Sequence, residues 1–394
     1  MPEHAAFRHD PVRSVLPGPV EPVRWDREPA VCGYRRLTYD NKTLGRTIPV
    51  PVSASPAVLP GVGAVLAGDD GHVRLVDRSL AKTYWQRRLD SSIYASVVVD
   101  RSRRHVVVTA TSGMVTCFDL RGRLVWSARI GREVRATPTV LPGADVLVVA
   151  AFGSRCVGLD LGTGATVFDR PLPRPWHAAY GGSAAHRDPY ASPATTAEDT
   201  AVVCCAEHVL CLAADGTELW RTELGTGVKA SPVAVHATGE ILACGVDGCC
   251  MFLDAGTGDP RSTVALDAKV AASPGLSGPF AAVGLAGGQV VGIDVRTRAV
   301  AWTAAEGAPR SYTSFSVLPD GGLMATCDRG NALCLDPADG SFRWETSQVL
   351  GIPDHEPGMD VTPVAGTDGS MYCASYSGFV YHFRFPPTAE EDPR

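Results

Sequence analysis

The sequence predicts an all-β protein, an eight-bladed β-propeller of four-stranded antiparallel blades closed by an N-terminal strand in the last blade. Three observations carry this. A unit returns about every 41 residues, each unit opens on Ser-Pro or a close variant, and each runs through short apolar strands to a turn of the form D-x-x-T-G-x-x-x-W. The openings are Ser55-Pro56, Ser96-Val97, Thr137-Pro138, Ser192-Pro193, Ser231-Pro232, Ser273-Pro274, Ser314-Phe315 and Thr362-Pro363, which makes eight. A period of 40 to 50 residues built from four short strands marks a ring of blades, because one blade alone cannot bury both of its faces.

Along the chain, residues 1–31 are rich in proline and charge and are expected to form an extended, poorly ordered arm. Residues 32–387 form the propeller, and 388–394 a disordered tail. The last repeat holds only three strands before Pro386-Pro387, so a strand at the chain's start must complete blade eight, and Lys42 to Val50 is the segment expected to do so. Within a blade, strand A follows Ser-Pro, B and C are apolar runs such as EILACGV and ALCLD, and D surrounds the tryptophan. The spacings between openings are 41, 41, 55, 39, 42, 41 and 48 residues. The two surpluses, residues 173–192 and 347–362, both follow a strand D. In a propeller these D-to-A connections emerge around one mouth of the central channel, and long loops on a rigid scaffold are where function concentrates.

Composition narrows the function classes. A net charge of -6 offers no basic stripe for nucleic acid. The N-terminal stretch has no apolar signal region and no segment approaches the ~20 apolar residues needed to span a bilayer, so a cytoplasmic protein without a membrane partner is expected. Of the twelve cysteines, Cys204, Cys244 and Cys373 fall on one strand B position and Cys117, Cys211 and Cys334 on one strand C position, where other blades carry small residues. Free, buried thiols acting as small core fillers are expected there.

The C-to-D turns resemble a known family. Cys334-Leu-Asp336-Pro-Ala-Asp-Gly340-Ser-Phe-Arg-Trp344, the turn from Gly158 through Asp160, Thr163 and Gly164 to Phe168, and the turn from Gly292 through Asp294 and Thr297 to Trp302 resemble the tryptophan-docking motif of pyrroloquinoline-quinone-type propellers. Shorter versions close on Trp126 and Trp220, blade one closes on Trp85, and blade five has Ser262 in place of the aromatic. Each indole is expected to slide between neighbouring blades and satisfy its N–H locally. The resemblance implies two familiar activities. One is a quinone- and calcium-dependent alcohol dehydrogenase, generally longer and exported, some of which stack a vicinal disulfide on the quinone. The other is an outer-membrane assembly lipoprotein. The adjacent pairs Cys204-Cys205 and Cys249-Cys250 are expected within strands B and C, away from the mouth, and no lipoprotein signal is present, so no quinone or other cofactor and no metal is expected.

The residue two places before each opening enters strand A, the innermost strand, and should face the mouth if the alternation keeps its phase. Tyr94, Arg135, Tyr190, Lys229, Tyr312 and Asp360 occupy this position, and Arg310 precedes Tyr312. The long loops add Trp176, His177, His186, His355 and Glu356. Tyr190, Lys229, Asp360, His177 and His355 are the candidate acid–base groups, with Asp360 kept ionised if flanked by Lys229 or Arg135. Tyr94, Arg135, Tyr312, Arg310, Trp176, His186 and Glu356 are candidate ligand-binding groups. Two functions follow. The first is a small-molecule or peptide pocket at the mouth, with cofactor-independent lyase, cyclase, isomerase or hydrolase chemistry as its catalytic form. The second is a non-catalytic scaffold for protein partners, since a solvated propeller channel is polar whether or not it does chemistry.

Overall fold

The computed structural model describes residues 14–174, 188–270, 272–304, 314–327, 329–347 and 358–388. Their strands form eight four-stranded antiparallel sheets and one separate hairpin. Blade one is Ala57–Leu59, Gly63–Ala67, His72–Asp77 and Thr83–Arg88, strands A to D from the axis outwards. The same order repeats through blade five (Val233–Val235, Glu240–Cys244, Cys249–Asp254, Pro260–Ala265) to blade seven (Ser316–Val317, Leu323–Thr326, Ala332–Leu335, Phe342–Glu345). Strand A of blade eight, Val364–Ala365, lies beside strand A of blade one, which closes the ring. Among the described residues no helix is long and apolar enough to cross a membrane.

Blade eight is completed by a strand from the chain's start, but not by the expected segment. Ala30–Arg36 pairs antiparallel with Phe379–Arg384 and supplies the outer strand. The segment read for that role instead folds back on itself. Asn41 accepts a hydrogen bond from the Leu44 amide, Gly45 takes a left-handed φ of 60°, and Arg46–Pro49 pairs with Thr38–Asn41 as a hairpin. The turn chemistry of Asn41 and Gly45 within the segment favours this local hairpin. This hairpin is therefore a third long D-to-A connection.

Residues 14–29 cross the closure from the innermost strand of blade one towards the outer strand of blade eight. Val15 bridges in parallel to Val58, the Glu21 amide donates to the Thr367 carbonyl, and Val23 bridges to Pro387. The start of the chain thus holds blade one and blade eight together.

Outer strands show why the aromatic position exists. In Thr83–Arg88 only Trp85 is buried, and the same single burial recurs at Trp126, Phe168, Trp220, Trp302 and Trp344. The indole N–H is satisfied across the blade boundary rather than locally. Trp85 donates to the Leu120 carbonyl at 2.9 Å, Trp126 to Leu161 at 2.9 Å, Trp220 to Ala255 at 2.8 Å and Trp302 to Pro337 at 2.9 Å, each in the C-to-D turn of the next blade. That turn is shaped by its aspartate: Asp160, for example, accepts the Thr163 amide and hydroxyl, both at 2.7 Å. The turn glycine lies flat under the ring. A Cβ on Gly164 would sit 2.5 Å from Trp126 and one on Gly340 2.4 Å from Trp302. Trp344 has no following turn, because blade eight's outer strand comes from the other end of the chain. Its N–H donates to the carbonyl of Trp25 instead, at 2.9 Å.

The same geometry explains the small strand C residues. Cys117, Cys211, Gly292 and Cys334 stand directly opposite Trp126, Trp220, Trp302 and Trp344. A Cβ on Gly292 would meet the Trp302 ring at 2.0 Å. Where the aromatic is missing, sizes invert. Blade five sets Phe252 opposite Ser262, and blade eight sets His382 opposite Gly33. The next blade's turn changes with them, carrying Arg298 and Leu80, both at positive φ, where the other turns have glycine. Arg298 reaches back to the buried carboxylate of Glu240, donating from Nε at 2.9 Å, so an ion pair joins blades five and six where an indole joins the others.

Candidate functional site at the channel mouth

The opening Ser and Thr residues form a girdle around the axis. The Ser55 amide donates to Ser96 Oγ at 3.3 Å, Ser96 to Thr137 at 3.0 Å, Thr137 to Ser192 at 3.0 Å, Ser192 to Ser231 at 3.0 Å and Ser231 to Ser273 at 2.9 Å. Ser273 and Ser314 are joined by a parallel bridge, and the Ser314 amide donates to Thr362 Oγ1 at 3.0 Å. Each opening residue is thereby locked to its neighbour, so the residues just before it hold one phase from blade to blade. Ile93 and Ala95, Val134 and Ala136, and Val228 and Ala230 are all buried. The side chain between each pair is the one left towards solvent. Arg135 and Lys229 are exposed there, while Tyr94 and Tyr190 are half-buried.

These four meet in one continuous arc over blades two to five. The Arg135 guanidinium lies over the Tyr94 ring, 4.9 Å from its centroid, and 5.8 Å from that of Phe152. Phe152 packs edge-on against Tyr190 at 5.1 Å, and the Lys229 ammonium lies over Tyr190 at 5.6 Å. Each cation thus rests on the tyrosine of the preceding blade, an attraction worth about 0.5–1 kcal/mol at exposed sites. Glu133 also binds Arg135 Nε, at 2.7 Å.

Phe152 comes from the B-to-C turn of blade three, and such turns form a second tier of the mouth. Their amides donate to carbonyls two residues before the entry side chains: Asp69 to Pro51, Thr111 to Ser92, Phe152 to Glu133, Val246 to Gly227 and Ala286 to Lys269. The entry-residue pattern does not reveal this tier, although its members recur with the same period. The structure also places both adjacent cysteine pairs at the mouth-face ends of their strands, not away from the mouth as expected, because Cys205 ends strand B and Cys249 begins strand C.

Carboxylates complete the site. Asp188 is 4% exposed, and burial pushes its carboxyl up to about 6 against the pull of Lys229, with Glu207 adding to the rise. Burial likewise pushes Asp69 up to about 6, although the Ser53 hydroxyl and amide donate to it at 2.9 and 3.2 Å. Asp360 is buried and accepts the Tyr376 amide at 2.7 Å, within its own blade. The Lys229 ammonium acts on Asp188, and Glu133 binds the Arg135 guanidinium.

Tyr312, Arg310, Trp176, His177, His186, His355 and Glu356 lie outside the described residues. Among the described residues no cluster of three or more His, Cys, Asp or Glu side chains is arranged to hold a metal. Of the adjacent cysteines, Cys204, Cys205 and Cys250 are buried among apolar blade residues and Cys249 is half-buried.

A family model described as outer membrane protein assembly factor BamB matches residues 35–208 and 206–352. Among solved structures the chain is similar to BamB from Moraxella catarrhalis, with 16% identity and a TM-score of 0.67 over 91% of this chain and 100% of that one. It is similar to Sqt1 from Saccharomyces cerevisiae, with 15% identity and a TM-score of 0.67 over 91% and 100%. Quinohemoprotein alcohol dehydrogenase from Comamonas testosteroni follows, with 12% identity and a TM-score of 0.65 over 93% and 78%. At such identities the likeness carries the fold alone. No curated protein sequence matches the chain. With matched repeats running from blade eight's outer strand to blade seven, and with the indole, turn and girdle geometry recurring around the ring, the chain belongs to the pyrroloquinoline-quinone-like propeller family that this model describes as outer membrane protein assembly factor BamB.

Proposed function

We propose that this protein is an interaction propeller whose channel mouth docks an acidic segment of a protein partner. The observation that carries this is the arc of Tyr94, Arg135, Phe152, Tyr190 and Lys229, which alternates ring faces and cations over four consecutive blades. Such an arc suits an extended chain. Tyrosine faces give amphipathic contact area, and the exposed guanidinium and ammonium draw carboxylates. The hairpin Thr38–Pro49, itself a D-to-A connection, would flank the segment. The family's description as an assembly factor agrees with a partner-binding role.

The test is a titration of a labelled peptide of alternating Glu and Leu against the wild-type chain and the Arg135→Ala and Lys229→Ala variants. Each variant is expected to weaken binding about tenfold, which corresponds to about 1.4 kcal/mol, and added salt should weaken the wild-type complex. Equal affinity in all three proteins would sink the proposal.

A second reading, a small-molecule pocket with acid–base chemistry, is favoured by one observation. Asp188, with a carboxyl near 6, acts on Lys229 beside the half-buried Tyr190, which is the kind of pairing that general acid–base catalysis uses. In that reading Asp188 takes the place given to Asp360.

A further inference from the structure

Blade five lacks the aromatic joint of its neighbours, and its B-to-C hairpin carries two sulfur atoms face to face. Cys244 and Cys250 are direct cross-strand partners. The Gly245 amide donates to the Cys249 carbonyl, so by antiparallel alternation the adjoining Cys244–Cys250 pair is a non-hydrogen-bonded one, in which the Cα atoms come to about 4.5 Å. That falls within the span a disulfide bridges, roughly 4.4–6.8 Å between Cα atoms. The two sulfurs are already 2.7 Å apart, well inside ordinary non-bonded contact. The other adjacent thiols are placed differently. Cys204 and Cys205, and Cys249 and Cys250, are consecutive on a strand, so their side chains leave opposite faces.

We infer that Cys244 and Cys250 are a modification site, a pair that closes into an intramolecular disulfide across the blade-five hairpin when the chain meets a small-molecule disulfide oxidant. The exchange balances without any further reagent. One thiolate of the pair attacks the oxidant and releases the first small thiol. The second cysteine sulfur then attacks the mixed disulfide and expels the other. The protein loses two electrons and two thiol protons, and the oxidant becomes two thiols. Both cysteines are fully buried in the finished blade, so the reaction belongs to folding or to an opening of the hairpin turn.

The bond would act on the mouth. The Val246 amide in this hairpin turn donates to the Gly227 carbonyl at 2.8 Å, two residues before Lys229. Cross-linking the hairpin fixes that turn in the blade where Ser262 replaces the indole.

The experiment refolds the full chain from urea in an oxidised and reduced glutathione mixture and, in parallel, with excess dithiothreitol. Both samples are then unfolded, alkylated and mapped by mass spectrometry. The expected result in glutathione is that two of the twelve thiols escape alkylation, that the mass falls by two hydrogens, and that one peptide links Cys244 to Cys250. Alkylation of all twelve thiols, or a link elsewhere with Cys244 and Cys250 free, overturns the inference. Cys244→Ser and Cys250→Ser should each restore alkylation of the remaining partner. If a folded variant still shows the same loss, the assignment is wrong. The wild-type map decides the matter even if neither variant folds.

Discussion

His382 shows how one side chain can carry a closure and a pH response together. It stacks on Tyr372 with centroids 4.7 Å apart, is 4% exposed, and neither of its ring nitrogens has a hydrogen-bond partner. Burial holds its titration down to about 4, helped by the Arg78 guanidinium and opposed by Asp368 and Asp77. A histidine that stays neutral in the fold but protonates near 6.5 when unfolded binds more protons in the unfolded chain between those values. Stability is therefore intact above about pH 6.5 and falls as the pH drops towards 4, by at most about 3 kcal/mol from this residue. Urea midpoints measured from pH 7 to 4 should show that slope, and His382→Phe should flatten it. An unchanged slope in the variant would assign acid sensitivity to the carboxylates instead.

At the scale of the element, the unit of design is a row through one blade and the turn of the next. Trp220, Cys211 and Gly258 form one solution, large outside, small inside and flat beyond. Ser262, Phe252 and Arg298 form the other, with the ion pair to Glu240 in place of the indole. Arg298→Ala leaves the Glu240 carboxylate buried without its cation. It should cost about 2–3 kcal/mol, below the value for a fully buried pair because the guanidinium is 36% exposed. Arg261→Ala, which breaks an exposed pair with Asp254, should leave the urea midpoint almost unchanged. Equal urea midpoints for the two variants would refute this. The row also marks what the sequence made legible. Ser-Pro and the turn aspartates report local geometry at a fixed period, so ring, blade count and entry residues could be read directly. Phe152 and Asp69 reach the mouth through contacts between a turn and a connection, which local pattern does not encode. The outer strand of blade eight escaped for a related reason. Gly33 stands where six of the other blades carry an aromatic, and the large partners that compensate, His382 and Tyr372, lie some 340 residues away.

The whole molecule is a ring with one seam, and both ends of the chain are spent on sealing it. Arg24 donates its amide to Pro386, Thr388 to Pro22, and Trp344 its indole to Trp25, while Ala30–Arg36 fills the last sheet. A chain beginning at residue 37 would leave the strand Phe379–Arg384 as a bare edge and the Trp344 N–H without its acceptor. It should elute as aggregate or as a multimer on size exclusion, and a synthetic peptide of residues 14–36 added during refolding should return it to the monomer position. A monomeric, stable truncated chain would show that the seam is not needed.

That seam also sets a schedule for synthesis. The outer strand of blade eight leaves the ribosome some 340 residues before its partner strand. At about 5–20 residues per second, the interval of some 340 residues lasts about 20–70 s. Throughout it, seven blades can form while one alternating strand stays uncommitted, able to pair with any nascent neighbour. Arg35 and Arg36, one on each face at the end of AVCGYRR, limit such pairing. Crowded polysomes are accordingly where this protein is most exposed to mispairing, and slowed translation would lengthen that exposure in proportion.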